Sequence, residues 1–129
     1  MKFEDVFYQI VSDLPKIISD NEFLTIPKVY IGKTEDVRGR SIDHAEKDKW
    51  FYLTTLAKGS PKLISELETA LIREFQKPNS KIKLLNDTDN SSGNPQADTL
   101  YICFDQYLSS DELGEYSLKL NETYPITIQ

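Results

Sequence analysis

One helix, predicted over about Ser60 to Gln76, constrains the fold more than any other segment. Ser60-Pro61 is a strong helix start, because a serine hydroxyl can cap free N–H groups and proline is tolerated in the first turn. Apolar residues then recur at helical spacing and form a stripe that must pack against other elements. Glu68 stands on that stripe, four residues after Ile64. A buried carboxylate is costly unless it is paired or binds a cation, so Glu68 is either an ion-pair partner or a metal ligand.

The remaining segments mix strands and helices without a regular βαβ alternation. This mixture favours an α+β fold with a small antiparallel sheet of about three central strands, flanked by helices. We expect one domain over residues 1–129, with residues 1–27 as an N-terminal helical extension. The other predicted helices are Phe3–Ile18 with a possible break at Pro15, Glu35–Lys47 capped by Thr34, and a short one over Ser109–Glu115. The predicted strands are Lys28–Lys33, Trp50–Ala57, Thr99–Asp105 and part of Tyr116–Gln129. Asn86–Ala97 is predicted to be a loop.

Charge is distributed unevenly along the chain. The net charge is −6, yet residues 28–83 hold twelve Lys/Arg against eight Asp/Glu, and the flanks hold three against thirteen. The acidic flanks either keep the domain soluble or leave the middle segment to act as a weak phosphate-binding surface. The single cysteine excludes an internal disulfide, and no apolar run is long enough to span a membrane, so we expect a cytoplasmic protein.

A short stretch between Tyr30 and His44 carries the chemistry. It reads Y-I-G-x-T-x5-R-x3-H, and Arg40 and His44 fall one turn apart on the predicted helix. Arginine offers a planar fork to phosphate oxygens, and histidine can move a proton near neutral pH. Taken alone, these residues also fit an ordinary exposed helix face, and Tyr30 fits a buried strand position. Gly32 would let a backbone or phosphate approach closely.

In order and spacing, this stretch together with Glu68 resembles the GIY-YIG nuclease family over about Lys28 to Asn86. Tyr30-Ile31-Gly32 is similar to the YIG half of the family motif, and the GIY half, which normally lies on a strand just before it, is absent. Tyr8 is one residue that could replace its tyrosine in space. The resemblance implies a catalytic role for Tyr30, Arg40, His44 and Lys33, a metal-binding role for Glu68, and supporting roles for Gly32 and Asn86.

The function implied by this resemblance is that of a metal-dependent DNA endonuclease, a hydrolase using Mg²⁺ or Mn²⁺. DNA would bind weakly through residues 28–83. The alternative is a catalytically silent interaction module of the same fold, with the acidic flanks facing a protein partner. The nuclease hypothesis also predicts that Tyr30, Arg40, His44 and Glu68 converge on one pocket, with Arg40 close to Glu68.

Overall fold

The chain folds as an α+β domain, as its sequence predicts. A computed structural model describes residues 1–20, 25–39, 50, 52–80, 82–86, 95–106 and 116–120. The predicted short helix at Ser109–Glu115 and most of the predicted Asn86–Ala97 loop lie outside the described residues. The elements are α1 (Phe3–Asp20), β1 (Lys28–Thr34), α2 (described only over residues 37–39), β2 (Tyr52–Gly59), α3 (Pro61–Phe75), β3 (Lys83–Leu84), β4 (Thr99–Phe104) and β5 (Leu118–Leu120).

The sheet is larger than predicted and it is mixed, with five strands in the order β3-β1-β4-β2-β5. β4 lies at the centre and pairs antiparallel with β1 and β2, whereas β3 pairs parallel with β1 and β5 pairs parallel with β2. The prediction of about three antiparallel strands was therefore wrong in size and in strand direction. β3 is two residues long, too short for a periodic pattern to reveal it, whereas β5 lies within the strand predicted in Tyr116–Gln129.

Helix α3 forms where its sequence signals place it. The Ser60 hydroxyl accepts a hydrogen bond from the Leu63 N–H at 3.4 Å, and Pro61 occupies the first helical position. At the other end, the Gln76 N–H still donates to the Ile72 carbonyl at 3.0 Å. The stripe predicted for this helix is buried, and it packs onto β1, β2 and β4.

Helix α1 packs against α3 and β5 and belongs to the same apolar core. Pro15 lies inside this helix, which continues to Asp20 without a break. Residues 1–20 meet residues 116–120 here. The N-terminal ammonium donates to the Lys119 carbonyl at 2.7 Å, and the Tyr116 hydroxyl donates to Asp13 Oδ2 at 2.9 Å. Burial, followed by the hydrogen bond and charge of Asp13, raises the pKa of Tyr116 above its usual range.

The two faces of the sheet have different neighbours, because side chains alternate along each strand. The helix face carries the β1 and β4 residues that join the core beneath α1 and α3: Val29, Ile31, Leu100, Ile102 and Phe104. The far face carries the residues between them: Tyr30, Gly32, Thr34, Thr99, Tyr101 and Cys103. Tyr101 and Cys103 are 1% and 0% exposed, so the far face is also buried at the sheet centre.

The start of α2 differs from its prediction in one detail. The hydroxyl of Thr34 accepts a hydrogen bond from the Asp36 N–H at 2.9 Å, and Asp36 Oδ1 then accepts from the Gly39 N–H at 3.0 Å. Asp36, rather than Thr34, therefore caps the helical residues 37–39. The rest of the predicted helix, with Arg40 and His44, lies outside the described residues. No helix in the described part of the chain is long and apolar enough to cross a membrane.

Candidate functional site

Glu68 is a buried carboxylate with one unsatisfied oxygen. It lies on the buried side of α3 and is 5% exposed, although its neighbours there are Leu67 and Leu71. Within the described residues, Oε1 of Glu68 has no hydrogen-bond partner. Burial raises the pKa of this carboxyl to about 7, against the opposing effect of the Lys33 charge. An arrangement this costly to the fold points to a group that is kept for chemistry.

Lys33, near the end of strand β1, reaches the same place. Its Nζ donates a hydrogen bond to the Ser65 hydroxyl at 3.1 Å, and its charge acts on Glu68. Ser65 and Glu68 are three residues apart on α3, so both lie on the surface of the helix that meets β1. Lys33, Ser65 and Glu68 thus form a polar cluster within an otherwise apolar contact between β1 and α3. Sequence reasoning missed Ser65, although its i−3 spacing from Glu68 was a usable signal.

A hard divalent cation fits this cluster in one respect. Magnesium is bound in proteins by one or two carboxylates and keeps several waters, so the free oxygen of Glu68 is a suitable ligand. No group of three or more His, Cys, Asp or Glu side chains suited to a metal occurs among the described residues. Of the described residues, Glu68 would be the main ligand of a cation held here, and the cation would share the site with the Lys33 ammonium.

Tyr30 and Gly32 lie on the far face of the sheet, opposite Lys33 and Glu68. The Tyr30 ring lies 6.4 Å from the Tyr101 ring and 6.3 Å from the Trp50 ring, centroid to centroid. Gly32 stands directly opposite Tyr101 in the strand register, and a Cβ at Gly32 would overlap the Tyr101 hydroxyl and ring. Gly32 therefore makes room for a tyrosine of the neighbouring strand.

Tyr101 lies beside Tyr30, a neighbour that the sequence did not predict. It belongs to β4, which is antiparallel to β1 and comes about seventy residues later in the chain. Tyr8, which could replace the tyrosine of the absent GIY half, is 66% exposed on α1, and its ring packs edge-on against that of Phe7. A strand from the C-terminal half thus provides a second tyrosine beside Tyr30.

Asn86 supports the strand that carries Tyr30 and Lys33. Its Nδ2 donates to the Ile31 carbonyl at 2.8 Å, and its Oδ1 accepts from the Ile31 N–H at 3.0 Å. The Leu85 N–H donates to the Val29 carbonyl at 2.8 Å just before it, so the Asn86 side chain continues the short β3–β1 pairing by one more step. In turn, the Asn86 carbonyl accepts from Gln76 Nε2 at 3.0 Å, which links the end of α3 to the same edge.

The structure places Lys33 near Glu68 and ties Asn86 to β1. It separates Tyr30 and Gly32 from Glu68 by the thickness of the sheet, because side chains alternate along β1, so the predicted convergence of Tyr30 and Glu68 on one pocket was wrong. Arg40 and His44 lie outside the described residues, so their approach to Glu68 stays a prediction. We found no family model, no curated protein and no solved structure that matches this chain.

Proposed function

We propose that this protein is a metal-dependent endonuclease of the GIY-YIG type, which hydrolyses phosphodiester bonds in DNA. The observation that carries the proposal is the buried Glu68 carboxylate, with one oxygen unsatisfied, beside Lys33 of the Tyr30-Ile31-Gly32-Lys33 strand. The pairing of β1 with β4 adds support, because it sets Tyr101 beside Tyr30 although no GIY half precedes it in the chain.

Each residue of the proposed site has a chemical task. Glu68 would hold Mg²⁺ or Mn²⁺, and such a cation supplies positive charge that offsets the charge developing on the phosphate oxygens. Lys33 donates hydrogen bonds to a phosphate oxygen from the same side of the sheet, and Arg40 would stabilise the negative charge of the transition state. The resemblance implies that Tyr30, helped by His44 or Lys33, would activate the attacking water.

Lys33 is favoured over Tyr30 as the group closest to the scissile phosphate. It shares the helix face with Glu68, whereas the Tyr30 ring leaves β1 on the far face. Lys33→Met should therefore abolish cleavage, while Tyr30→Phe, which keeps the ring, should reduce it less. Equal losses would refute the assignment of Lys33 as the group closest to the phosphate.

Nicking of supercoiled plasmid and of branched DNA, with Mg²⁺ or Mn²⁺, tests the nuclease function. Cleavage is expected with wild type and should fall at least about a hundredfold in Glu68→Gln, as it does when a transition-state charge partner is removed. Glu66→Gln is the matched control, because Glu66 is exposed on the same helix. An absence of cleavage with either metal, or full cleavage by Glu68→Gln, would refute the proposal.

The second candidate is a catalytically silent module of the same fold that binds a protein. It is favoured by the net charge of −6 and by the lack of a three-ligand metal cluster among the described residues. The two functions differ in calorimetry with Mn²⁺. The nuclease proposal predicts Mn²⁺ binding that is lost in Glu68→Gln and retained in Glu66→Gln, whereas the module proposal predicts no Mn²⁺ binding.

A further inference from the structure

Two lysines stand side by side at one end of the sheet. Lys28 of β1 and Lys83 of β3 are register partners in a parallel pair, so their side chains leave the same face with Cα atoms about 4.8 Å apart. Both are exposed, and within the described residues neither ammonium has an ion-pair partner. Like charges placed directly opposite each other destabilise a sheet, so this pair costs the free protein stability.

Among the described residues, Asp105 is an acidic group held against the main chain of Lys28. Asp105 lies opposite Lys28 on the other side, where its Oδ1 accepts from the Lys28 N–H at 2.9 Å and its own N–H donates to the Lys28 carbonyl at 3.2 Å. The Asp105 carboxylate offsets one of the two lysine charges. The three neighbouring residues Lys83, Lys28 and Asp105 therefore carry one net positive charge. An anion placed between the two ammonium groups would relieve their repulsion.

Aromatic rings lie next to this lysine pair on the same face. Tyr30 is two residues beyond Lys28, and Val29 between them points to the helix face. The centroids of the Tyr30 and Trp50 rings are 6.3 Å apart. Both side chains are half-buried, so part of each remains at the surface. Lys28, Lys83, Tyr30 and Trp50 together form what we call the lysine–aromatic patch.

We propose that the lysine–aromatic patch binds an unpaired nucleic-acid strand, with phosphates on the two lysines and a base on the Trp50 and Tyr30 rings. Lysine ammonium groups bind backbone phosphates, and aromatic rings stack on the flat face of any base. An acidic peptide would use the lysines and leave the rings without a matched partner. A base inside a duplex has both faces stacked already, so the patch selects single-stranded segments.

This inference rests on the proposed function only where it names the substrate: a nuclease with this patch would act on DNA that contains an unpaired segment. Lys28 and Lys33 are five residues apart on β1, roughly 16 Å, and their side chains leave opposite faces of the sheet. The patch is therefore a strand-holding surface outside the Glu68 cluster, and its two lysines can be tested apart from Glu68.

Trp50 is the sole tryptophan of the chain, so its fluorescence reports on the patch directly. Titration with a twelve-nucleotide oligothymidine, without metal and at 50 mM salt, should quench Trp50. A matched duplex should bind at least about fivefold more weakly, because its bases are already stacked. Anisotropy of the labelled oligonucleotide then gives the affinity of each variant over a range of salt.

Lys28→Gln/Lys83→Gln should weaken binding about tenfold and lower the slope of log K against log salt by about 1.4, since each single-strand phosphate contact contributes about 0.7. The matched control is Lys16→Gln/Lys62→Gln, which removes two exposed lysines from α1 and α3. Tyr30→Phe should bind as wild type, because stacking needs the ring and not the hydroxyl.

Several results would overturn the inference: unchanged affinity in the Lys28/Lys83 variant, binding without a change in Trp50 fluorescence, equal affinity for the duplex, or equal competition by polyglutamate. Glu68→Gln should retain oligonucleotide binding. Strand binding without any metal-dependent cleavage would refute the nuclease and leave the patch, whereas cleavage with no role for the lysines would refute the patch alone.

Discussion

At the scale of single residues, Glu68 makes the folded state less stable whenever its carboxyl is ionised. Burial raises its pKa from 4.5 to about 7, so between these values the folded protein holds a proton that the unfolded chain has released. At low pH the neutral Glu68 carboxyl does not lower the free energy of unfolding. As the pH rises from about 4.5 to about 7, ionisation of the carboxyl increasingly lowers it. Binding of the proposed cation would offset this cost, because it would compensate the buried charge.

We predict that Glu68→Gln stabilises the protein in a pH-dependent way. Glutamine has nearly the same shape and no charge to bury, so the gain should reach about 3 kcal/mol near pH 8 and fall below about 1 kcal/mol near pH 5. Urea unfolding of wild type and variant across this range measures the difference. Glu66→Gln should show no such trend, and a gain that is the same at every pH would contradict the raised pKa.

At the scale of elements, β1 depends on partners that are distant in sequence. Its edge is completed by two residues of β3 and by the Asn86 side chain, and its centre is shaped by the fit of Gly32 against Tyr101. β1 carries both Tyr30 and Lys33, so these contacts set the position of the candidate site. Changes at either contact should act on stability and on the site together.

Asn86→Ala removes two hydrogen bonds from the backbone of Ile31 and should destabilise the protein by about 1–3 kcal/mol. Hydrogen exchange should speed up at the Ile31 amide, which loses its acceptor. Asn86→Asp offers a sharper contrast, because a carboxylate can still accept from the Ile31 N–H and cannot donate to its carbonyl. Full protection of the Ile31 amide in Asn86→Ala would mean that β3 needs no help from this side chain.

Gly32→Ala should destabilise the fold by about 1–3 kcal/mol, because the new methyl group would overlap the buried Tyr101 ring. A double-mutant cycle with Tyr101→Ala measures the cause. The loss at Gly32 should shrink once the ring is gone, giving a coupling energy above about 0.5 kcal/mol. Additive losses would place the strain elsewhere.

At the scale of the whole molecule, α1 and residues 116–120 join distant parts of the sequence. α1 supplies Val6, Ile10 and Leu14 to the core, each 0% exposed, and lies against β5 from the other end of the sequence. The hydrogen bonds from the N-terminus to Lys119 and from Tyr116 to Asp13 join the same two regions. α1 and the sheet should therefore unfold as one cooperative unit.

We predict that Leu14→Ala costs about 2–5 kcal/mol, as expected for a fully buried leucine. Far-ultraviolet circular dichroism and Trp50 fluorescence should report the same urea midpoint for this variant. Tyr8→Ala on the exposed side of α1 is the control and should change stability by less than about 0.5 kcal/mol. Two separate transitions would show that α1 is an independent segment.

Local signals in the sequence were sufficient for the larger elements and for Glu68. The cap at Ser60, the proline after it and the apolar spacing of α3 act within a few residues, so they could be read without knowledge of the rest of the chain. The strands β1, β2 and β4 followed from runs of β-branched and aromatic residues for the same reason. The carboxylate at an apolar position drew attention to Glu68 before its surroundings were known.

Only the tertiary structure decided which elements meet. The parallel pairing of Lys28 with Lys83, the contact of Gly32 with Tyr101 and the hydrogen bond from Lys33 to Ser65 join residues that are 55, 69 and 32 positions apart. The sheet is therefore mixed, and Tyr30 lies across it from Glu68. Pairing partners are selected by how all the apolar faces can be buried at once, a property of the whole chain that no short segment contains.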